Sequence, residues 1–374
     1  MLYLGIDLHS KQITVCVRNE SGEITLRRQV STRPEKIDQF FEQLTKSDTE
    51  FMTIVEVCGF NDWFTDKLRD WKCCDILLVQ PERTSNRKTD SRDANKLCEL
   101  LWCNRHRLSD GKQITGLRRV QIPTKQQAAD RQLTSLRKRL AVFRTKSLNK
   151  IRRILKNSNL EWNYPTKSFQ TQAGRSWLKE VKLSAMDRIE MDILLEQWEM
   201  FDRQIESTEQ QIQRSIQQTQ PGEVMSDSQI LMTTPGVAGY GALTITSRIG
   251  DISRFPSPRS LANYFGITPG CRNSGEAKQR LGSITKQGSG IVRFMLGQQV
   301  VHVLKKDARM RAWYRRIKNR RGSKIARVAV MRRLTTIYWH MLTYRERYTP
   351  GGPPRLKLKA QGHGSMDTKQ NSAA

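Results

Sequence analysis

A chain of 374 residues is long enough for two or three domains with cores of their own, so it needs no disulfide staple. Its 65 Lys and Arg against 36 Asp and Glu leave a formal charge of +29, which points to a polyanionic partner, nucleic acid above all. No apolar run reaches the roughly 18 residues that cross a bilayer, and the seven cysteines are odd in number without a CxxC pair, which argues against a membrane protein and a disulfide scaffold.

Leu2 to His9 reads LYLGIDLH, an apolar run that carries a carboxylate, Asp7, at its far end. Leu2–Leu8, Ile13–Arg18 and Ile24–Val30 are predicted strands joined by two tight hairpins. Pro34 opens a helix with Ile37, Phe40, Phe41 and Leu44 on one face, and Met52–Val57 returns as a buried strand. A helix through Phe64 and Leu68 and a strand at Ile76–Val79 complete the order βββαβαβ, the ribonuclease-H-like pattern. After a basic loop, Pro81–Lys88, a helix is predicted over Thr89–Leu101. Thr89 can cap it, and Asp90 and Asp93 share a face of its first turn. Cys98, Cys103 and His106 match no zinc spacing, and the two cysteines read as reduced structural thiols. The N-terminus enters a strand without a signal peptide, so the expected location is cytoplasmic and nucleoid-associated.

From about Lys125 to Gln220 the composition turns to long polar helices. Leu133, Leu136, Leu140 and Phe143 keep one apolar stripe, and Leu194, Trp198, Phe201, Ile205, Ile212 and Ile216 another. Both an intermolecular coiled coil and a helical hairpin within one subunit satisfy that pattern. The first helix has ten Lys or Arg between Arg131 and Lys156 and no acid, so Arg137, Lys138, Arg139, Arg152 and Arg153 are candidate phosphate contacts. Pro221 and Gly222 end this insert. Thr233–Arg254 then places a Gly-rich turn between two short helices, a helix-hairpin-helix-like element. Leu261–Lys286 is basic and turn-rich. Lys305–Arg347 carries fifteen Lys or Arg against two acids, with Trp313, Tyr314, Tyr338, Trp339 and Tyr344 interleaved, as suits helices lying along a nucleic-acid backbone. The tail after Thr349 has a disordered composition. The expected division is therefore 1–120, 121–222, 223–348 and a tail at 349–374, in an α/β plus α fold.

With strands one and four adjacent, Asp7, Glu56, Asp90 and Asp93 converge. Two hard cations held by such a set activate a nucleophile and stabilise a leaving oxygen at a phosphodiester. Each acid alone also has a structural explanation: a strand end, a paired buried residue, or a helix start favoured by the dipole. Their conjunction in so basic a chain favours a site.

GIDLH, IVEVCG, KTDSRDA, TPGVAGYGALT and FGITPGCRNSGEAKQRLGSITKQG together resemble the insertion-sequence transposases that have an N-terminal RuvC-like DEDD domain and a C-terminal serine-bearing transposase domain, over about residues 1–345. The resemblance implies that Asp7, Glu56, Asp90 and Asp93 coordinate Mg2+ (or Mn2+). It implies that Ser274 is the nucleophile and forms a 5′-phosphoserine intermediate. Relatives often carry two adjacent serines there, whereas this chain has Asn273 before Ser274, which leaves one candidate. The resemblance further implies DNA of element ends and target as substrate and a noncoding bridge RNA as guide. A homo-oligomer, dimer or tetramer, and a site composed of residues from different protomers are implied too. Beside Ser274, the cations Arg272, Lys278, Arg280 and Lys286 suit a scissile phosphate. Two rivals stay open at this stage: a metal-dependent junction-resolving nuclease that uses water, and a non-catalytic nucleic-acid-binding scaffold.

Overall fold

The computed structural model describes residues 1–46, 49–80, 90–110, 112, 118–218, 224–272 and 280–352; side chains of some flanking residues, including Asp90, Arg272 and Arg280, lie outside that description. The chain divides into two compact units, Met1–Ile122 and Pro123 onward.

The first unit is built on a six-stranded sheet, order β3-β2-β1-β4-β5-β6. Its strands are β1 (Leu2–Leu8), β2 (Gln12–Arg18), β3 (Ile24–Ser31), β4 (Phe51–Glu56), β5 (Cys73–Gln80) and β6 (Arg118–Val120). Strand β1 is antiparallel to β2 and parallel to β4, as the sequence order implies. Helices α1 (Pro34–Thr45) and α2 (Asp62–Asp70) belong to one face, where Leu4, Ile6, Phe41, Val55, Phe64 and Leu68 form the core. Alternation along a strand sends Tyr3, Gly5 and Asp7 to the other face. There α3 (Asp90–Cys103) packs, with Leu97 and Leu101 against Tyr3, Ile54, Leu77 and Val79. Helix α4 (Arg105–Ser109) follows. Strand β6 was not anticipated; it is three residues long and extends the sheet antiparallel to β5.

In the second unit α5 (Lys125–Asn157) and α7 (Ala185–Gln217) form an antiparallel hairpin within the chain. Pairs running oppositely along the two helices set the register: Ser215 with Asp130 (2.6 Å), Arg144 with Asp202 (3.0 Å) and Ser147 with Gln197 (3.3 Å). Of the two arrangements the apolar stripes allow, the chain forms the hairpin: Leu194 and Trp198 pack with Leu148, Ile151 and Leu155, Phe143 lies 5.8 Å from Phe201, and Ile212 and Ile216 are buried with Leu243, while Leu136 and Phe143 stay 39% and 44% exposed. A 3₁₀ turn (Glu161–Asn163) and α6 (Gln172–Glu180) connect them. Helices α8 (Asp227–Met232), α9 (Gly239–Ile249) and α10 (Pro258–Tyr264) lead to the two-stranded β7 (Pro269–Arg272) and β8 (Arg280–Ile284), then α11 (Gly290–Lys306), α12 (Ala308–Arg321) and α13 (Ser323–Thr343). Leu231, Ile245, Phe265, Leu296, Leu334 and Tyr338 mark the core they share. Among the described residues no helix is long and apolar enough to cross a membrane, and the six described cysteines are free thiols.

Candidate active site and nucleic-acid interface

The carboxylates of the first unit are positioned by strand register. The β1–β4 pairing runs in step from Leu2↔Phe51 to Ile6↔Val55, so the next residues, Asp7 and Glu56, stand side by side at the ends of neighbouring parallel strands. Both lie on the α3 face. Gly5 lets α3 approach: a Cβ there would meet the Ala94 carbonyl oxygen and the Cys98 nitrogen, each at 2.3 Å. Cys98 Sγ also donates to the Tyr3 carbonyl at 3.1 Å, so α3 is tied to β1 just before Asp7. Asp93, half-buried, is one turn from Leu97 on α3, and Asp90 is one turn from Ala94. The Asp90 side chain is outside the described residues.

Three further side chains shape this corner. His9 Nε2 lies 3.0 Å from Asp7 Oδ2. Thr14, the register partner of Asp7 on β2, is buried, and its Oγ1 has no hydrogen-bond partner among the described residues. Asn61 accepts from the Cys58 N–H at 2.5 Å and donates to the Glu56 carbonyl at 3.1 Å, which fixes the chain as it leaves β4. Among the described residues no three His, Cys, Asp or Glu side chains form a metal cage by themselves. Mg2+ does not require one, since it keeps several waters and is commonly held by one or two carboxylates plus substrate phosphates. An oxygen-only donor set with an unsatisfied hydroxyl beside it fits a hard cation and its water.

In the second unit the segment around Ser274 begins and ends on a hairpin, with Arg272 paired to Arg280 and Pro269 to Ile284. Ser274 and Lys278 lie between those strands in sequence and outside the described residues. The hairpin base is held by close backbone contact. Gly266 at φ +67 and Gly288 at φ +118 would each drive a Cβ into backbone carbonyls, of Gln287 at 2.2 Å and of Tyr264 at 2.1 Å. Arg293 Nη1 donates to the carbonyls of both Phe265 and Gly288. Lys286, exposed, follows at φ 56, its N–H bound to the Gly266 carbonyl.

Comparison with known proteins decides what these parts belong to. A family profile described as "Transposase", of the DEDD class typified by IS110, matches residues 4–159, and a second, "Transposase IS116/IS110/IS902 family", matches residues 228–315. The chain is 26% identical over 357 residues to the "Transposase for insertion sequence element IS1111A" of Coxiella burnetii, covering 93% of this chain and 91% of that one. It is 24% identical over 362 residues to a "Probable family 20 transposase" of Pseudomonas aeruginosa, covering 93% and 98%. The chain is an insertion-sequence transposase.

The transposase profiles span all four acids in the first unit and Ser274 in the second. Of the basic candidates on the transposase's α5, Arg137 is committed to helix pairing: it bonds Glu209 and lies 4.4 Å over the Tyr240 ring. Lys138 sits 5.4 Å over Phe294, and Arg152 bonds Asn149 and stacks on Phe169. Arg139 and Arg153 are exposed, and with Lys146 and Lys150 they recur at helical spacing on one outward face. That stripe runs about 21 Å along the axis at 1.5 Å per residue. The glycines of the transposase's α8–α9 turn answer to packing: Gly236 closes on His302, and Gly239 on Ile216 and Gln213. Sequence reading missed His9, Thr14 and Asn61. The i, i+2 spacing of Asp7 and His9 could have flagged the first, while a threonine inside a strand and an asparagine before a helix carry no such signal.

Proposed function

We propose that the transposase cuts and rejoins DNA at the ends of its element and at the target through Ser274, with Mg2+ or Mn2+ held by Asp7, Glu56, Asp90 and Asp93 in a ribonuclease-H-like (RuvC-like) domain. The observation that carries this reading is the placing of Asp7 and Glu56 on one face, at the ends of neighbouring parallel strands under the start of the helix that bears Asp90 and Asp93. When bound, the cation supplies positive charge against the negative charge that develops on the phosphate oxygens. His9 orients the Asp7 carboxylate, and Asn61 fixes the backbone that carries Glu56. The Ser274 hydroxyl gives up its proton as Oγ bonds to phosphorus, the P–O3′ bond breaks, and the 3′ oxygen leaves as a hydroxyl. Arg272, Lys278, Arg280 and Lys286 balance the phosphate charge. Rejoining reverses these bonds with a different 3′ hydroxyl.

The outward basic face of α5, Arg139 to Arg153, supports a nucleic-acid track for DNA or for a noncoding bridge RNA that selects it. Met186, Ile189, Ile193 and Met200 recur on α7 and are 74%, 55%, 51% and 37% exposed, which supports self-association as a dimer or tetramer. The metal reading is tested with Asp7→Asn and Glu56→Gln in the full chain. Each is expected to weaken Mn2+ binding, read by titration calorimetry, by roughly 100-fold, and to abolish strand cleavage while DNA binding persists. Unchanged Mn2+ affinity in both variants contradicts it.

A further inference from the structure

Between α12, α13 and the turn that ends at Gly352 lies a cavity of about 850 Å³. Its walls hold four guanidinium groups, those of Arg309, Arg316, Arg320 and Arg333, with Trp313 among them and, among the described residues, no carboxylate. The acid nearest in sequence, Asp307, is buried and already accepts from the Tyr348 hydroxyl (2.6 Å) and from the N–H groups of Gly351 (2.7 Å) and Met310 (2.9 Å). These bonds pin the rim, in which Gly351 and Gly352 both take positive φ, at 82° and 88°. Arg333 completes the wall: its Nη2 donates to the Gly351 carbonyl at 2.6 Å, and its guanidinium lies 5.0 Å over the Trp313 ring.

Arg309, Arg316 and Arg320 are exposed at the cavity, so their planar forks are available to an anion. The space is far larger than one phosphate needs and falls in the range of sites that enclose a small organic ligand. An indole stacked on a guanidinium offers a flat surface of the kind on which nucleobases pack. The chain's own tail does not suit it. Between Gly352 and Asp367 the sequence has Arg355, Lys357 and Lys359 and no acid, so its charge opposes the arginines.

We propose that this cavity receives one unpaired nucleotide of a single-stranded nucleic acid, its base against the Trp313–Arg333 pair and its flanking phosphates on Arg309, Arg316 and Arg320. This rests on the reading that the transposase acts on nucleic acid. It adds a site for an unstacked base, which a regular duplex does not present.

The test uses the full chain with single-stranded DNA and RNA of one sequence, roughly 10 nucleotides long, each carrying 2-aminopurine, and the matching DNA duplex. Wild type is expected to change the 2-aminopurine emission on binding either strand. Trp313→Ala should lose that change and roughly tenfold in single-strand affinity, with duplex affinity held within about twofold. Trp313→Phe should keep most of both. Arg320→Gln, on an exposed side chain, should lower the salt slope of single-strand binding by about 0.7. A selective loss on one strand type alone supports the site and names the strand. If folded Trp313→Ala binds single strands like wild type, or loses strand and duplex equally, the proposal is overturned. Should that variant fail to fold, an unchanged affinity and slope in Arg320→Gln overturns it instead. A wild type that binds neither strand nor duplex overturns the nucleic-acid reading itself.

Discussion

Single side chains decide whether the working surfaces keep their shape. Burial pushes the Asp307 carboxyl up, but hydrogen bonds from Tyr348 and from the N–H groups of Met310, Gly351 and Arg309 outweigh it, so the group sits below its ordinary value. Tyr348, raised by burial and by that same carboxylate, stays a donor. Because the folded value is depressed, Asp307 contributes stability above the ordinary carboxylate pKa of about 3.9, and the contribution is lost as pH falls through the folded value. Asp307→Ala removes the cap of α12 and leaves the hydroxyl of half-buried Tyr348 without its acceptor, at a cost of roughly 1–3 kcal/mol near neutral pH. Thermal melting should show the gap to wild type narrowing below about pH 4, and a gap constant across that range contradicts the assignment. None of this was legible in the sequence, where Asp307 is one acid in a basic stretch. Asp7 was legible, since a charge ending an apolar run needs a reason. Thr14 was not, because what marks it is a buried hydroxyl with no partner among the described residues.

Among the elements, α3 controls the carboxylate corner and depends on the missing side chain at Gly5. Gly5→Ala puts a Cβ 2.3 Å from helix backbone that cannot yield locally, so α3 must lift from β1. A loss of roughly 3 kcal/mol or more is expected in denaturant unfolding, with cleavage impaired. Gly59→Ala, where no described atom lies within 4 Å of the added one, is the control, expected within about 0.5 kcal/mol of wild type. Equal behaviour of the two variants removes α3 docking as the positioning device. The order βββαβαβ could be read because apolar alternation and turn residues bound each strand. Strand β6 could not, being three residues at a sheet edge. The β7–β8 pairing was hidden for a related reason: Pro269–Arg272 and Arg280–Ile284 are short, and the close approach at Gly266 and Gly288 that anchors them is a property of space rather than of composition. The stripes on α5 and α7 fixed which faces are apolar but not which chain covers them.

For the whole molecule, a charge of +29 sets the class of partner, and the charge is sorted. Cations that meet acids hold helices together, as Arg137 does with Glu209 and Arg144 with Asp202. Those left outward form the α5 stripe and the arginine cavity. Composition foretold a polyanion, whereas this sorting needed the hairpin register. The carboxylates and Ser274 belong to different units of the chain, so the chemistry proposed for them is a claim about the assembled transposase on its substrate. One experiment reaches that claim: incubation of the full chain with Mg2+, RNA from the element's flank and DNA that contains an element end, followed by denaturing electrophoresis for protein-linked DNA. The account predicts a DNA adduct through Ser274, absent in Ser274→Ala and in Asp7→Asn and dependent on the matched RNA. An adduct that persists in Ser274→Ala, or cleavage by that variant without any adduct, contradicts it.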